Sequence, residues 1–298
     1  MNARHFLQLV ALSALWGTSF MLTRYAVPVL GPNMLAALRM GFAALALAAI
    51  MRALGQRWPL EHWRELGLLA VLAVAGPHVL FSWAALHMPA GYAALLYVTS
   101  VLFGAFASAW MKEEALTLVK MLGCLAGFVG AALMVQLGPV QPSVTLVVAV
   151  LTATLGSALS GASTPLIKRA ISRMEPLAIT AGMHVIAFIL LLPGLLIDLP
   201  QAQFTPGAVG AVALMGIVTS GLAWWMYARL MRHVSPMGAL SSTFMITGFG
   251  VLWAVVFLDE QVGTGHYVGG ALILLASTMV TGFHPFGGRR RRLPAHKA

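Results

Sequence analysis

The sequence predicts an all-α integral membrane protein: ten transmembrane helices forming two inverted five-helix repeats around a central cavity. Three observations carry that prediction. The composition is too apolar and too poor in charge for a water-soluble fold, the apolar stretches match a bilayer's thickness, and the second half repeats the first at a fixed shift.

Of the 298 residues, 60% are hydrophobic and 9% charged, with a mean hydropathy of +0.88. A soluble chain carries roughly 25% charged residues. At about 20 residues per span the length allows about ten crossings, which leaves no room for a soluble catalytic domain. Disorder is excluded by the same composition. The single cysteine, Cys124, lies inside an apolar run, so no disulfide framework and no cysteine-based metal cluster is expected.

Breaks at proline, glycine and charge clusters place spans near 6–27, 33–51, 66–86, 91–111 and 117–137, then 144–167, 177–197, 207–228, 237–258 and 264–283. The links, such as HMPA at 87–90 and GPVQPS at 138–143, are short, so consecutive helices are expected to be antiparallel neighbours. Weak processing sites at Ala11 and Ala14 would suit a signal peptide, but the apolar run continues through Trp16 and Phe20 to Val27, long for a signal core. It is expected to remain as a span.

Lys and Arg beside helices set orientation, because basic loops resist translocation. With the N-terminus in the cytoplasm, sixteen of the eighteen basic residues fall on the inner side, ending with Arg289, Arg290, Arg291, Arg292 and Lys297. The other two, Arg24 and Arg39, lie within the first two helices towards their outer ends, where a long side chain is expected to snorkel to the interface. The net charge of +10 and the pI near 10.7 therefore read as an orientation signal. RRRR at 289–292 reads as a stop-transfer anchor, and no nucleic-acid partner is expected. Both termini are expected in the cytoplasm of a multi-pass plasma-membrane protein, and the compact loops suit a bacterial inner membrane.

Sliding the chain against itself lays KEEALTLVKMLG, ending at Gly123, over LDEQVGTGHYVG, ending at Gly269. The same shift of 146 pairs Glu114 with Glu260, His87 with His233, Ala93 with Ala239 and Gly104 with Gly250. One common shift of about half the chain is what an internal duplication predicts. Five helices is an odd number, so the second copy must be inverted in the membrane. Loop charges agree, since the basic KRAISRMEP takes the place of the uncharged VPVLGP. Inverted halves suit secondary transport, because they can rock about a central site and expose it to each side in turn. The expected units are 1–138, 139–284 and a basic tail, 285–298.

WGTSF at 16–20, PNMLAALRM at 32–40, MPAGYAALLY at 88–97 and WMKEEALTLVKMLGCLAGFVGAAL at 110–133 resemble one EamA repeat of the drug/metabolite transporter superfamily, and DEQVGTGHYVGGALILLAS at 259–277 resembles the end of a second. Within that superfamily the chain looks most like the YddG-type exporters of aromatic and other neutral amino acids. The resemblance implies a ten-helix transporter with both ends cytoplasmic. Many family copies carry proline midway along helices four and nine, where this chain has Thr99 and Ser100, and Ile246 and Thr247; Gly104 and Gly250 are candidates for flexibility or close packing instead.

Intramembrane polar residues are functional candidates by default. Helical spacing places Phe81 and Ser82 on the face of His78 in span three, and the repeat shift sets His78 against Trp224 of the other half. A packed histidine bonded to a backbone carbonyl is the alternative for His78, and His184 reads as structural. Further stripes come from Trp16 and Ser19 with Thr23, from Tyr97, Ser100 and Gly104, from Ser160 with Ser157 and Thr164, and from Thr243, Thr247 and Gly250. These hydroxyl and aromatic stripes are candidates to line the cavity; close helix packing is the alternative for each. Trp58, Trp63, Trp110 and Trp253 read as interfacial anchors. GCLAGFVG at 123–130 reads as a packing face.

All eight carboxylates fall in loops or at helix ends, so no buried acid is available to trade protons against solute. The expected function is export of a small neutral metabolite, chiefly aromatic and other neutral amino acids, by a facilitator or through histidine-coupled exchange. Organic-cation efflux would want a buried acid, and a membrane-embedded enzyme would want a catalytic constellation that the chain lacks. No cofactor and no metal are implied. The expected partners are the solute and the lipid bilayer, with the protein a monomer or weak dimer.

Overall fold

Helix starts follow from local chemistry. The side chains of Asn2, Ser143, Thr205 and Ser235 each accept a backbone N–H three residues on, and Pro32, Pro176, Pro206 and Pro236 occupy first helical positions, where a missing N–H costs nothing. The computed structural model describes residues 1–88, 90–135, 141–258 and 263–283, and every regular element among them is helical.

Helix α1 spans Ala3–Leu30 and α2 spans Pro32–Ala53. Helix α3 runs over Trp63–Leu69, passes through a π-helical segment, Ala70–Ala75, and resumes over Gly76–Ala85. Helix α4 comprises Ala90–Val98 and Ser100–Trp110 on either side of a turn at Thr99. Then come α5 (Leu118–Met134), α6 (Val144–Ile171) and α7 (Pro176–Asp198). Helix α8 runs Pro206–Leu214, π-helical Met215–Leu222 and Ala223–Leu230; α9 comprises Pro236–Leu240 and Ser242–Leu258; α10 is Thr264–Thr281. Eight stretches, in α1 to α4 and α6 to α9, are long and apolar enough to cross a membrane, and α5 is a shorter apolar helix.

The packing is that of a chain solvated by lipid. Large apolar side chains such as Leu45, Phe106, Leu151, Leu196 and Leu274 are exposed, while alanine is the commonest residue in the buried set. Small residues let backbones approach where no hydrophobic effect pulls helices together. Helices α4 and α6 cross at Gly104 and Gly161, where a Cβ on Gly161 would sit 2.2 Å from the Ser100 carbonyl. The glycine face of α5 is buried, with Gly127 against the ring of Phe244 and Gly130 against α10.

The expectation that sequence neighbours pack together is corrected by the structure. Helix α2 lies chiefly along α7, α5 along α10, α1 along α9 and α4 along α6, whereas successive helices touch only lightly. Short links bring successive helices close at one end only; the small-residue faces then choose partners far away in sequence.

At the α1–α2 turn, Asp198 from the end of α7 accepts the backbone N–H groups of Asn33 (2.7 Å) and Met34 (3.0 Å) and the Asn33 amide (3.1 Å). The preceding residue, Gly31, has φ +83°, and a Cβ there would meet the carboxylate. The opposite end of the bundle carries ion pairs: Glu65 with Arg173, Glu113 with Arg169, Glu114 with Lys120, and Glu175 with Arg232. Glu114 also accepts the backbone N–H of Met237 at the start of α9.

Candidate substrate site

The two π-helical segments stand at matching places in α3 and α8, separated by close to the 146-residue shift. A π turn inserts a residue into the α-helical ladder and often marks a functional site. In corresponding spans of a two-repeat transporter, such irregular backbone points to where solute binds. Here the turn in α8 presents Thr219 and Ser220 towards α1 and α2.

Thr219 is the hub. Its carbonyl accepts the indole N–H of Trp16 (2.7 Å), and its hydroxyl accepts from Ser19 (3.1 Å) while donating to the Met215 carbonyl (2.8 Å). Arg39 completes the cluster by donating from Nε to the Ser220 hydroxyl (2.6 Å) and from Nη2 to the Thr219 hydroxyl (3.2 Å). The expected snorkelling of Arg39 to the outer interface is therefore corrected: its guanidinium turns inward, where the hydroxyls of Thr219 and Ser220 on the π turn lie within reach. No carboxylate pairs with it among the described residues. A guanidinium has five N–H donors, and two are used.

Aromatic rings cluster beside Thr219, through the Trp16 indole that it holds. Trp16 meets Trp224 and Tyr227 edge-on, with centroids 6.1 and 5.2 Å apart, and Trp224 meets Tyr227 at 5.7 Å. His184 lies edge-on to Trp224 at 6.0 Å and is fully buried; its Nδ1 bonds to the Thr180 carbonyl, and its Nε2 has no partner. Across the cluster, Tyr97 lies near Ser160 and packs edge-on against Phe81 at 5.4 Å. Tyr227 is buried and lies near Thr164. His78, Tyr97 and His184 all lie within electrostatic reach of Arg39.

The structure thus brings together Trp16, Ser19, Trp224, Tyr97, Ser160 and Phe81 of the residues singled out in the sequence. His78 is part-exposed and bonds through Nδ1 to the Val74 carbonyl (2.7 Å), within the π segment of α3. Ser82 is part-exposed on the same helix, and no hydrogen bond of its side chain is seen among the described residues. Ser100 is buried with its hydroxyl unpartnered, beside the α4–α6 crossing. Thr243 and Thr247 are buried in α9, where the Thr247 hydroxyl donates to the Thr243 carbonyl (3.2 Å). Of the other deep tryptophans, Trp83 is partly exposed and stacks on His87, while Trp225 lies under Arg229. Trp253 donates its indole N–H to the Ala14 carbonyl (2.9 Å), tying α9 to α1.

Sequence reasoning missed Arg39, Thr219, Tyr227 and His184 as a group. One signal was available: Arg39 is an arginine inside a span, the eighth residue of α2. The π turns have no sequence signature beyond the small residues at 216 and 219–221.

The sequence model of the EamA-like transporter family matches twice, over residues 5–136 and 147–282. The chain belongs to the EamA-like transporter family. Similar members include an "Uncharacterized transporter" of Archaeoglobus fulgidus, 23% identical, covering 89% of this chain and 94% of that one. The "Probable terminal-alkyne amino-acid exporter" of Streptantibioticus cattleyicolor is 24% identical over 92% of each chain. The "Uncharacterized transporter YvbV" of Bacillus subtilis is 26% identical, covering 93% and 90%. A solved structure titled "Crystal structure of protein" shares the fold, with a TM-score of 0.81 at 20% identity, covering 94% of this EamA chain and 99% of its own.

Proposed function

We propose that this EamA transporter exports small neutral metabolites, chiefly aromatic and other neutral amino acids, by alternating access between two inverted halves. The single observation that carries the reading is Arg39. A charged side chain inside a spanning helix is costly, up to roughly 2.5–3.5 kcal/mol at the helix centre, and one held only by neutral hydroxyls is best explained by a ligand that brings the negative charge. A carboxylate docks there through the unused N–H groups, in the two-pronged manner guanidinium favours. The rings of Trp16, Trp224 and Tyr227 then receive an apolar side chain by stacking and an ammonium by cation–π attraction. The amino-acid exporter among the relatives is consistent with this class of solute. Organic cations are disfavoured by the same arginine, which repels them.

The inverted arrangement is supported by contacts that recur under the 146-residue shift. A Cβ on Gly123 would lie 3.4 Å from the Ala276 carbonyl, and one on Gly130 would lie 2.8 Å from the Gly269 carbonyl; exchanging the halves turns the first pair into the second. In this reading α5 and α10 complete ten spans, the halves are 1–138 and 139–284, and both ends are cytoplasmic in a bacterial inner membrane. The carboxylates among the described residues lie at helix ends or in links, which favours facilitated efflux over proton exchange through a buried acid.

Proteoliposomes holding the full chain and loaded with labelled phenylalanine, leucine or tryptophan test this. Protein-dependent efflux is expected, with little change when a proton gradient is imposed. No flux for any neutral amino acid from correctly inserted protein would overturn the reading.

A further inference from the structure

One cavity lies apart from that site, at the end of the bundle where α1 begins and α8 finishes. It encloses 400 Å³ between Arg4 and His5 on one side and Arg229, Arg232 and His233 on the other. Twelve residues of helix, roughly 18 Å, separate Arg4 from Trp16.

The charges there converge without compensation. Arg232 pairs with Glu175 at 3.0 Å, but Arg4 and Arg229 have no carboxylate partner among the described residues. Arg229 is braced over the ring of Trp225 at 5.5 Å, which orders its stem while leaving its donors free. His5 and His233 stack with centroids 4.8 Å apart and planes 9° from parallel, forming one flat wall from two halves of the chain. The first turn of α1 holds no acidic residue and adds its positive dipole end. Below the charges the lining turns apolar, with Leu12 and Leu230 buried and Met226 exposed on the outer surface of α8. A second cavity at the same end mixes signs, carrying Glu61 and Glu175 beside Arg57 and Arg173. Basic residues that only set orientation need not face each other across a hollow.

We infer that this cavity binds a phosphate-bearing anion between Arg4 and Arg229, either the headgroup of an anionic phospholipid or a free organic phosphate. Basic pockets between membrane helices recognise lipid headgroups in this way, and the apolar floor opening at Met226 offers a path for an acyl chain.

Native mass spectrometry on the full-length protein, exchanged into micelles with equal phosphatidylglycerol and phosphatidylcholine, tests the lipid. Thermal unfolding with glycerol phosphate alone tests the free anion. Selective retention of phosphatidylglycerol is expected, falling roughly tenfold or more in Arg4→Gln with Arg229→Gln. It should survive in the lysine pair, Arg4→Lys with Arg229→Lys, and in Arg57→Gln with Arg64→Gln. Stabilisation by glycerol phosphate without lipid retention, lost in the same glutamine pair, assigns the site to a soluble phosphate. Binding of both probes that is indifferent to the Arg4 and Arg229 changes, or that instead follows neutralisation of Arg289 to Arg292, overturns the proposal.

Discussion

Arg39 of α2 reaches the π turn of α8 and holds its Nη2 3.2 Å from the hydroxyl of Thr219, the same hydroxyl that Ser19 of α1 touches at 3.1 Å. Three helices from both halves thus meet at one oxygen, and a change at any of them is felt by the others.

Arg39→Gln keeps a polar side chain and removes the charge. Efflux of a neutral amino acid is expected to fall about tenfold to a hundredfold, in line with about 1.5–3 kcal/mol for a charged hydrogen-bond partner. The corresponding amino-acid amide should lose little. Parallel counterflow measurements on acid and amide check this; equal losses would make Arg39 a scaffold only.

Trp16→Phe keeps the ring and deletes the bond to the Thr219 carbonyl, and is expected to cost about 1 kcal/mol of stability. Trp224→Ala removes an aromatic wall worth about 0.5–1.5 kcal/mol beyond area burial to an aromatic guest. Affinity should therefore drop more for phenylalanine than for alanine, as competition against a labelled solute would reveal.

Asp198→Ala frees three donors at the start of α2 and is expected to destabilise the fold by about 1–3 kcal/mol. Asp198→Asn should lose less, because its amide oxygen still accepts. Thermal unfolding in detergent gives both numbers.

Gly161→Ala drives a methyl to 2.2 Å from the Ser100 carbonyl, and overpacking of this kind costs about 1–3 kcal/mol. Gly210→Ala in α8 meets nothing within 4 Å and should be neutral or mildly stabilising, since alanine is the better helix former. Comparing midpoints of the two variants separates close approach from a general intolerance of change.

Cysteines introduced at residues 2 and 297 should both react with an impermeant maleimide from the same side of the membrane. Native Cys124 is buried and should contribute little background. Labelling of the two positions from opposite faces would exclude an even number of crossings.

Eight of the expected spans were legible because about twenty apolar residues in a row leave few other readings, and the repeat was legible because glycines within corresponding helices keep their spacing. Helix partners were not. Link length says which helices follow each other, whereas the glycine and alanine faces that bring α2 to α7 and α5 to α10 act across the chain. Of the site, Trp16, Ser19 and Tyr97 could be read from stripes of like residues, but the inward turn of Arg39 depends on where Thr219 and Ser220 point. That direction is set by the π segment, a backbone event that no single residue type announces. His184 was read as structural because the repeat shift gives it no partner like that of His78, and its contact with Trp224 comes from α7 packing against α8.

A fixed positive charge amid the helices has an electrostatic effect of its own. Hydronium and sodium meet an electrostatic barrier at Arg39, so thermal opening of the bundle would not short-circuit an energised membrane. Under the proposed function, a passive exporter with this charge would remain in the bilayer throughout growth without draining the cell's ion gradients.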